Sequence, residues 1–283
     1  MGLWEDGRLD IVTSYFDLHT HLLFGVDDGA ATADEMFAML DMAYSDGARA
    51  ICLTPHFSPY LFGDTYQNSQ DAFEILRERA GQLYPDLRLF LGHELGYHDG
   101  CLQALSEGRC RTLAGSRYVL VDFPEDVGFF QIRTALERLS NAGYHPILAH
   151  AERYCCLEKN LAWLREFRDG GGIIQVNASG VTGAWGRRAK SLWKKLVKGH
   201  LVHIVSSDGH NLTSRPPKLS VCMPYLTRWC DAETVRALTW GNAWRVVLDK
   251  PLDGLDAENI PEMVPVDTSE RISTHGRNEK QRI

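Results

Sequence analysis

The stretch Tyr15-Phe16-Asp17-Leu18-His19-Thr20-His21 decides the reading, because a short strand-like run stops at two histidines one residue apart. Side chains two apart on a strand share a face, so both imidazoles can enter one cavity. The construction recurs. Thr54-Pro55-His56, Gly92-His93-Glu94, His150-Ala151-Glu152-Arg153 and Ser207-Asp208-Gly209-His210-Asn211 each sit where an apolar run stops. Runs near 15–20, 49–54, 87–93, 117–123, 145–149, 172–177 and 201–206 alternate with helical patterns. That alternation predicts a parallel β/α protein whose ligands gather at strand C-terminal ends. Seven strands, each followed by helix, point to a seven-fold (β/α) barrel rather than the usual eight. An open doubly wound sheet is the alternative, since strand order cannot be read from the chain.

Between the strands, Thr32-Ala33-Asp34-Glu35 reads as a capping box. It opens a helix with Met36, Phe37, Leu40, Ala43 and Tyr44 on one face. Further helices are expected over 69–83, 131–142, 157–168 and 189–198, and over 231–240 with Asp231 as its cap. Residues 1–266 read as a single domain and the polar stretch 267–283 as a disordered tail. The loop 57–68, with Pro59, Tyr60, Phe62 and Gly63, is long enough to cover a site.

The 283 residues are 44% hydrophobic and 24% charged, ordinary for a globular protein. A net charge of −7 gives no electrostatic footprint for nucleic acid or anionic lipid. No apolar run approaches the ~18–20 residues that would span a membrane. The acidic opening MGLWEDGRLD has no signal-peptide core, and Asp6 breaks the myristoylation pattern. Seven scattered cysteines without a C-x-x-C pair fit a reducing cytoplasm.

Five strand ends carrying His and carboxylate side chains predict one polynuclear metal site. Imidazole and carboxylate without thiolate suit Mn²⁺, Fe²⁺, Zn²⁺ or Co²⁺, and the number of carboxylates favours Mn²⁺. A carboxylate can bridge two ions about 3.5–4 Å apart. Other histidines are set aside: His93 should face away from Glu94, His145 and His200 begin strands, His203 lies mid-strand, and His275 is in the tail. His98 is assigned to the surface rather than to the pocket.

With those residues placed, the chain resembles the polymerase and histidinol phosphatase (PHP) superfamily. The branch it most resembles is the manganese-dependent protein-tyrosine phosphatases of bacterial capsule and exopolysaccharide operons (CpsB-like). The resemblance covers about 15–250. It rests on DLHTHLLFGVDDGA (17–30), TPH (54–56), GHE (92–94), YVLVDFP (118–124), AHAERY (149–154), QVNAS (175–179) and SSDGHNLTSRPP (206–217). It implies a distorted (β/α)7 TIM-like barrel and three cations, Mn²⁺ with Co²⁺, Mg²⁺, Fe²⁺ or Zn²⁺ as alternatives. His19, His21, Glu94 and Asp208 would hold the first. Glu94 would bridge to a second, with Asp122 and His150. Asp28, His56 and His210 would hold the third, with Asp28 rather than Asp27 in the family's ligand position. Asp122 stands where the branch usually carries Glu, one methylene longer.

The resemblance further implies a metal-activated hydroxide as nucleophile and phosphotyrosine as substrate. The partner would be the phosphorylated, Tyr-rich tail of a bacterial tyrosine autokinase controlling polysaccharide export. Arg153 and Arg215 match family arginines near the site, and a guanidinium fork suits phosphate oxygens. Their alternatives are an ion pair with Glu152 for Arg153 and a solvated loop charge for Arg215. The loop aromatics Tyr60, Phe62 and Tyr66 either meet the tail or pack locally. Rival activities are a histidinol-phosphate or other small phosphomonoester phosphatase, a metal-dependent nuclease, and a non-catalytic scaffold. Cys222 to Arg228 matches the C-x5-R pattern of cysteine-dependent phosphatases. Pro224 removes an amide from that loop and no glycine eases its curl, so the match is set aside.

Overall fold

The computed structural model describes residues 14–252 and 261–262. The polar stretch 267–283 lies outside the described residues. The strands are β1 (Tyr15–Thr20), β2 (Ala48–Leu53), β3 (His56–Phe57), β4 (Arg88–Leu91), β5 (Glu94–Gly96), β6 (Tyr118–Asp122), β7 (His145–Leu148), β8 (Ile173–Asn177) and β9 (Ile204–Ser206). The helices are α1 (Ala33–Asp46), α2 (Tyr66–Leu83), α3 (Cys101–Ser106), α4 (Phe129–Asn141), α5 (Leu161–Asp169), α6 (Gly186–Lys198), α7 (Met223–Trp229), α8 (Ala232–Arg236) and α9 (Asn242–Val247). Every paired strand is parallel, in the orders β1-β2-β4 and β3-β5-β6-β7-β8-β9. The result is a mixed α/β fold built on a curled parallel sheet.

The two sheet segments are one surface with a local break. Ala50 lies opposite Arg88 and His56 opposite Glu94, in unbroken register. The Gly92 amide still donates to Leu53 O at 2.9 Å and the Glu94 amide to Pro55 O at 3.1 Å. Pro55 has no N–H to give, so the ladder loses a rung there. At the sheet's outer strands, Asp208 N donates to His19 O and His21 N to Gly209 O, both at 2.9 Å. The chain just beyond β9 thereby meets the end of β1.

Alternation along the strands sorts the interior. Phe16, Leu18, Ala50, Cys52, Leu120, Ile147, Ala149, Ile173 and Ile204 form one buried cluster inside the curl. Phe16 packs on Phe90 and Trp244, with ring centroids 5.5 and 5.2 Å apart. Strict alternation from Phe16 and Leu18 would turn His19 outward. In β1, however, Asp17 lies opposite Ile51 and Thr20 opposite Leu53, so two residues face Cys52 alone. Such a bulge re-aims the residues beyond it, and His19 and His21 enter the same interior as Leu18. The outer face packs on the helices. α6, for example, buries Ala189, Leu192, Trp193, Leu196 and Val197 at helical spacing.

The expected capping box forms in a shifted way. Thr32 Oγ1 accepts from Glu35 N, while Glu35 Oε2 accepts from Ala31 N rather than from Thr32. Asp231 caps α8 by accepting from Thr234 N. The helix expected over 157–168 starts at Leu161, after a 3-10 turn over Cys155–Lys159. The strand expected over 201–206 is laddered only from Ile204. No helix among the described residues is long and apolar enough to cross a membrane.

Candidate metal centre

The inward files of the strands end in acceptors. β2 runs Ala50, Cys52, Thr54 toward His56; β4 runs from Phe90 to Glu94; β6 ends in Asp122; β8 carries Gln175 and Asn177; and the file of Ile204 reaches Asp208. His150 and Asp208 turn inward on left-handed backbone, φ 30° and 54°. Non-glycine residues rarely adopt that conformation, and it clusters at functional sites.

Glu94 is the hub. Its Oε2 lies 3.2 Å from His19 Nε2, 3.1 Å from His21 Nε2 and 3.1 Å from His56 Nδ1. Its Oε1 lies 2.9 Å from His150 Nε2, which is itself 3.4 Å from Asp122 Oδ1. Asp208 Oδ1 is 3.4 Å from His19 Nε2 and 3.6 Å from His21 Nε2. Asp28 Oδ1 is 3.5 Å from His56 Nε2 and 3.4 Å from His210 Nε2. All nine residues singled out for metal binding thus meet in one cluster, where His21, Asp28, His56 and His210 form one group with metal-ligand spacing. His19, His21 and Glu94 form a second, and His56, Glu94 and Asp122 a third. His56 faces two groups, since its two ring nitrogens point to Glu94 and to Asp28.

A second ring of residues orients the first, and pattern reading gave none of these a role. Asp27 Oδ2 accepts from His21 Nδ1 at 2.7 Å and from His56 N at 2.8 Å. Gln175 Oε1 accepts from His150 N and lies 3.4 Å from His19 Nδ1. Asn177 Nδ2 donates to Asp208 Oδ2 at 2.7 Å, and Tyr154 OH to Asp122 Oδ1 at 3.0 Å. These partners commit the Nδ1 atoms of His19 and His21, so both Nε2 lone pairs face each other at 3.1 Å. Asp208 Oδ1 and His210 Nε2 are buried with no hydrogen-bond partner. Acceptors converging without donors need a positive charge between them, and the mixed N/O set suits a first-row cation.

The carboxylates draw protons onto two of these rings. Against burial, Glu94 and Asp208 raise His19, and Asp27 and Glu94 raise His21 well above its usual value. A bound cation would take the place of those protons. Burial works to raise Glu94, but His19 and His56 outweigh it and hold the carboxylate well below its usual range. Burial also opposes Asp208, which His19, His210 and Arg215 keep ionised. Burial pushes the His150 and His210 imidazoles down to about 4, leaving them neutral. Asp122 is pushed up to about 6 by burial and by Glu94.

Arg215 Nη2 donates to Asp208 Oδ2 at 2.8 Å, and Arg153 Nη1 lies 3.7 Å from the same oxygen. Arg153 pairs with Glu125 at 3.1 Å and not with Glu152. Glu152 is instead fully buried, accepts from Asn177 N, and is pushed up to about 8 by burial. Phe62 stacks on His56 at 5.3 Å, Tyr66 packs under Arg111, and Tyr60 stands 84% exposed beside His98. His93 is buried and accepts from Arg111 N, on the face away from the cluster.

The family described as "Capsular polysaccharide synthesis, CpsB/CapC" matches residues 15–248. The chain belongs to that family. It is 32% identical over 239 residues to the tyrosine-protein phosphatase CpsB of Streptococcus pneumoniae, covering 83% of this chain and 98% of that one. It is 28% identical to the tyrosine-protein phosphatase YwqE of Bacillus subtilis, over 70% of this chain and 78% of that one. A solved structure from work on YwqE and CpsB, described as metal-dependent tyrosine phosphatases, superposes with a TM-score of 0.75 at 24% identity. It covers 83% of this chain and 95% of that one, and the likeness shows a shared fold. The CpsB/CapC match runs from β1 to α9 and so includes all nine clustered residues.

Proposed function

We propose that this chain is a metal-dependent protein-tyrosine phosphatase acting in capsule or exopolysaccharide synthesis. The observation that carries the reading is the buried set of acceptors without donors, flanked by Arg153 and Arg215. The relatives' activity supports it. So does the balance of charge, with lone pairs to hold cations and two guanidinium groups beside them to hold a phosphate dianion.

In this reading His19, His21, Glu94 and Asp208 would hold one cation, Glu94, Asp122 and His150 a second, and Asp28, His56 and His210 a third, with Mn²⁺ as the preferred ion. Cations held there would supply a lowered pKa for bound water, to about 7, and would offset charge on phosphoryl oxygens. The chain's own residues do the rest. Asp27 and Gln175 keep the Nε2 lone pairs of His21 and His19 pointed inward. Arg153 and Arg215 orient the phosphoryl group, whose transfer depends mainly on positioning and charge stabilisation. Asp122, held by the Tyr154 hydroxyl, reaches His150 despite its short side chain.

The finer fold reading is a distorted (β/α)7 barrel, supported by the continuity of β2 with β3 and β4 with β5, and by the hydrogen bonds from β1 to the chain after β9. The proposed substrate is the phosphorylated tail of a tyrosine kinase, in the cytoplasm. The test is phosphate release by chelator-stripped protein with and without Mn²⁺, from phosphotyrosine peptide, phosphoserine peptide and histidinol phosphate. Mn²⁺-dependent turnover preferring phosphotyrosine is expected. A preference for histidinol phosphate would keep the centre and overturn the substrate.

A further inference from the structure

Trp185 sits in the turn between 3-10 helix Ala178–Thr182 and α6, flanked by Gly183 and Gly186 at φ 93° and 87°. Its half-buried ring lies 4.2 Å from the Arg153 guanidinium carbon and 5.3 Å from that of Arg215. The three residues come from separate segments, after β7, β8 and β9. The remaining restraints on the arginines are acidic. Arg153 reaches Asp208 and the exposed Glu125, and Arg215 reaches Asp208 and the half-exposed Asp28. Asp208 and Asp28 also face the histidine cluster, so cations there draw on the same carboxylates. Among the described residues, the aromatic face is the shared partner of both guanidinium groups that does not draw on the carboxylates of the cluster.

A second observation marks this corner. Arg153 Nε, Arg215 Nε and Trp185 Nε1 are all buried and without an acceptor. Buried N–H groups are costly to leave unpaired, so an oxyanion drawn between the two arginines and the indole would relieve that cost.

We infer that Trp185 is a positioning residue: its ring holds Arg153 and Arg215 together at the mouth of the metal centre, fixing the pair to receive a phosphoryl group. The inference rests on the phosphatase reading above. Stacking preorganises the forks, so less side-chain freedom is lost when the anion binds. Among the described residues, the ring contacts of Trp185 are with the two arginines and not with the histidines that would hold cations.

The experiment compares Trp185→Leu, which keeps apolar bulk, with Trp185→Phe, which keeps an aromatic face. Readouts are kcat and KM on a phosphotyrosine peptide, Ki for inorganic phosphate, and bound metal by elemental analysis. For W185L, KM and phosphate Ki are expected to rise roughly tenfold, the scale of losing two partly desolvated cation–π contacts. Metal content should not change and kcat should fall less than threefold. W185F should stay within about threefold of wild type in all of them. A phosphate Ki within twofold of wild type in W185L overturns the inference, as does W185F no better than W185L, or metal loss in W185L. Normal wild-type turnover with an insensitive W185L would sink this inference alone. Absence of both turnover and phosphate binding in Mn²⁺-loaded wild type would sink the phosphatase reading with it.

Discussion

Glu94 touches four histidines with two oxygens, so its charge counts more than its size. Glu94→Gln keeps the shape, replaces one acceptor oxygen with an NH₂ donor and removes the negative charge. It is expected to lower bound metal and to reduce turnover by at least ~10³-fold, the scale of losing metal-assisted charge stabilisation. Elemental analysis beside steady-state rates checks this, and near-normal turnover would displace Glu94 from the centre. Cys222 is the opposite case. Its thiol is buried, pushed up by burial, and donates to Leu219 O at 3.1 Å, while α7 begins at the next residue. The amides of that segment are committed to a helix and do not cradle an anion. Cys222→Ser should therefore keep turnover within about twofold; loss of activity with the fold intact would revive the cysteine mechanism. At this scale the sequence disclosed the residues at strand ends, because acceptor type and two-residue spacing are local. It did not disclose Asp27, Gln175, Asn177, Tyr154 or Trp185, whose partners lie on other strands and loops.

The legible elements were those long enough to have a period. β1, β2, β6, β7 and β8 fall within a residue or two of their apolar runs, since buried parallel strands are almost uniformly apolar. β3 and β5, two and three residues long, were not legible, because no alternation develops over so few positions. The bulge in β1 was equally hidden, being a property of pairing with β2. His203, assigned mid-strand, sits just before β9, where its Nδ1 accepts from Ile174 N. That bond needs a neutral ring, and burial with Arg168 nearby pushes the imidazole down to about 4. Its stabilising contribution is present above the unfolded value of about 6.5 and is lost as pH falls from there toward 4. His203→Asn places a non-titrating oxygen near the Nδ1 position. Denaturant unfolding of the metal-free protein at pH 7 and pH 4.5 should show a smaller acid loss in the variant, by up to about 3 kcal/mol. Equal losses would show that His203 charges freely in the folded protein.

Across the whole molecule, the centre adds a link between segments that backbone ladders, the Ser207 amide on Asp17 and the shared core already join. His19 comes from the first strand and His21 from just beyond it, Asp208 and His210 from the chain after the last, and Glu94 and His150 from between them. Asp208 Oδ1 is buried without a hydrogen-bond partner, which costs stability that a cation beside it would recover. Ions binding the folded chain and not the unfolded one stabilise it by mass action, about 4 kcal/mol at a thousand times Kd for a single site. For a domain of this size 1 kcal/mol moves Tm by roughly 2–4 °C. Saturating Mn²⁺ should therefore raise the Tm of chelator-stripped protein by about 10 °C, with the increase growing as the logarithm of free Mn²⁺. Ca²⁺, which prefers six to eight oxygen ligands, should raise it far less, because imidazoles supply so much of this donor set. The two titrations separate a built transition-metal centre from a generally acidic pocket. A Tm indifferent to Mn²⁺, or one that rises equally with Ca²⁺, would mean that the convergence of histidines at the strand ends does not tie β1 to the segment after β9 through metal.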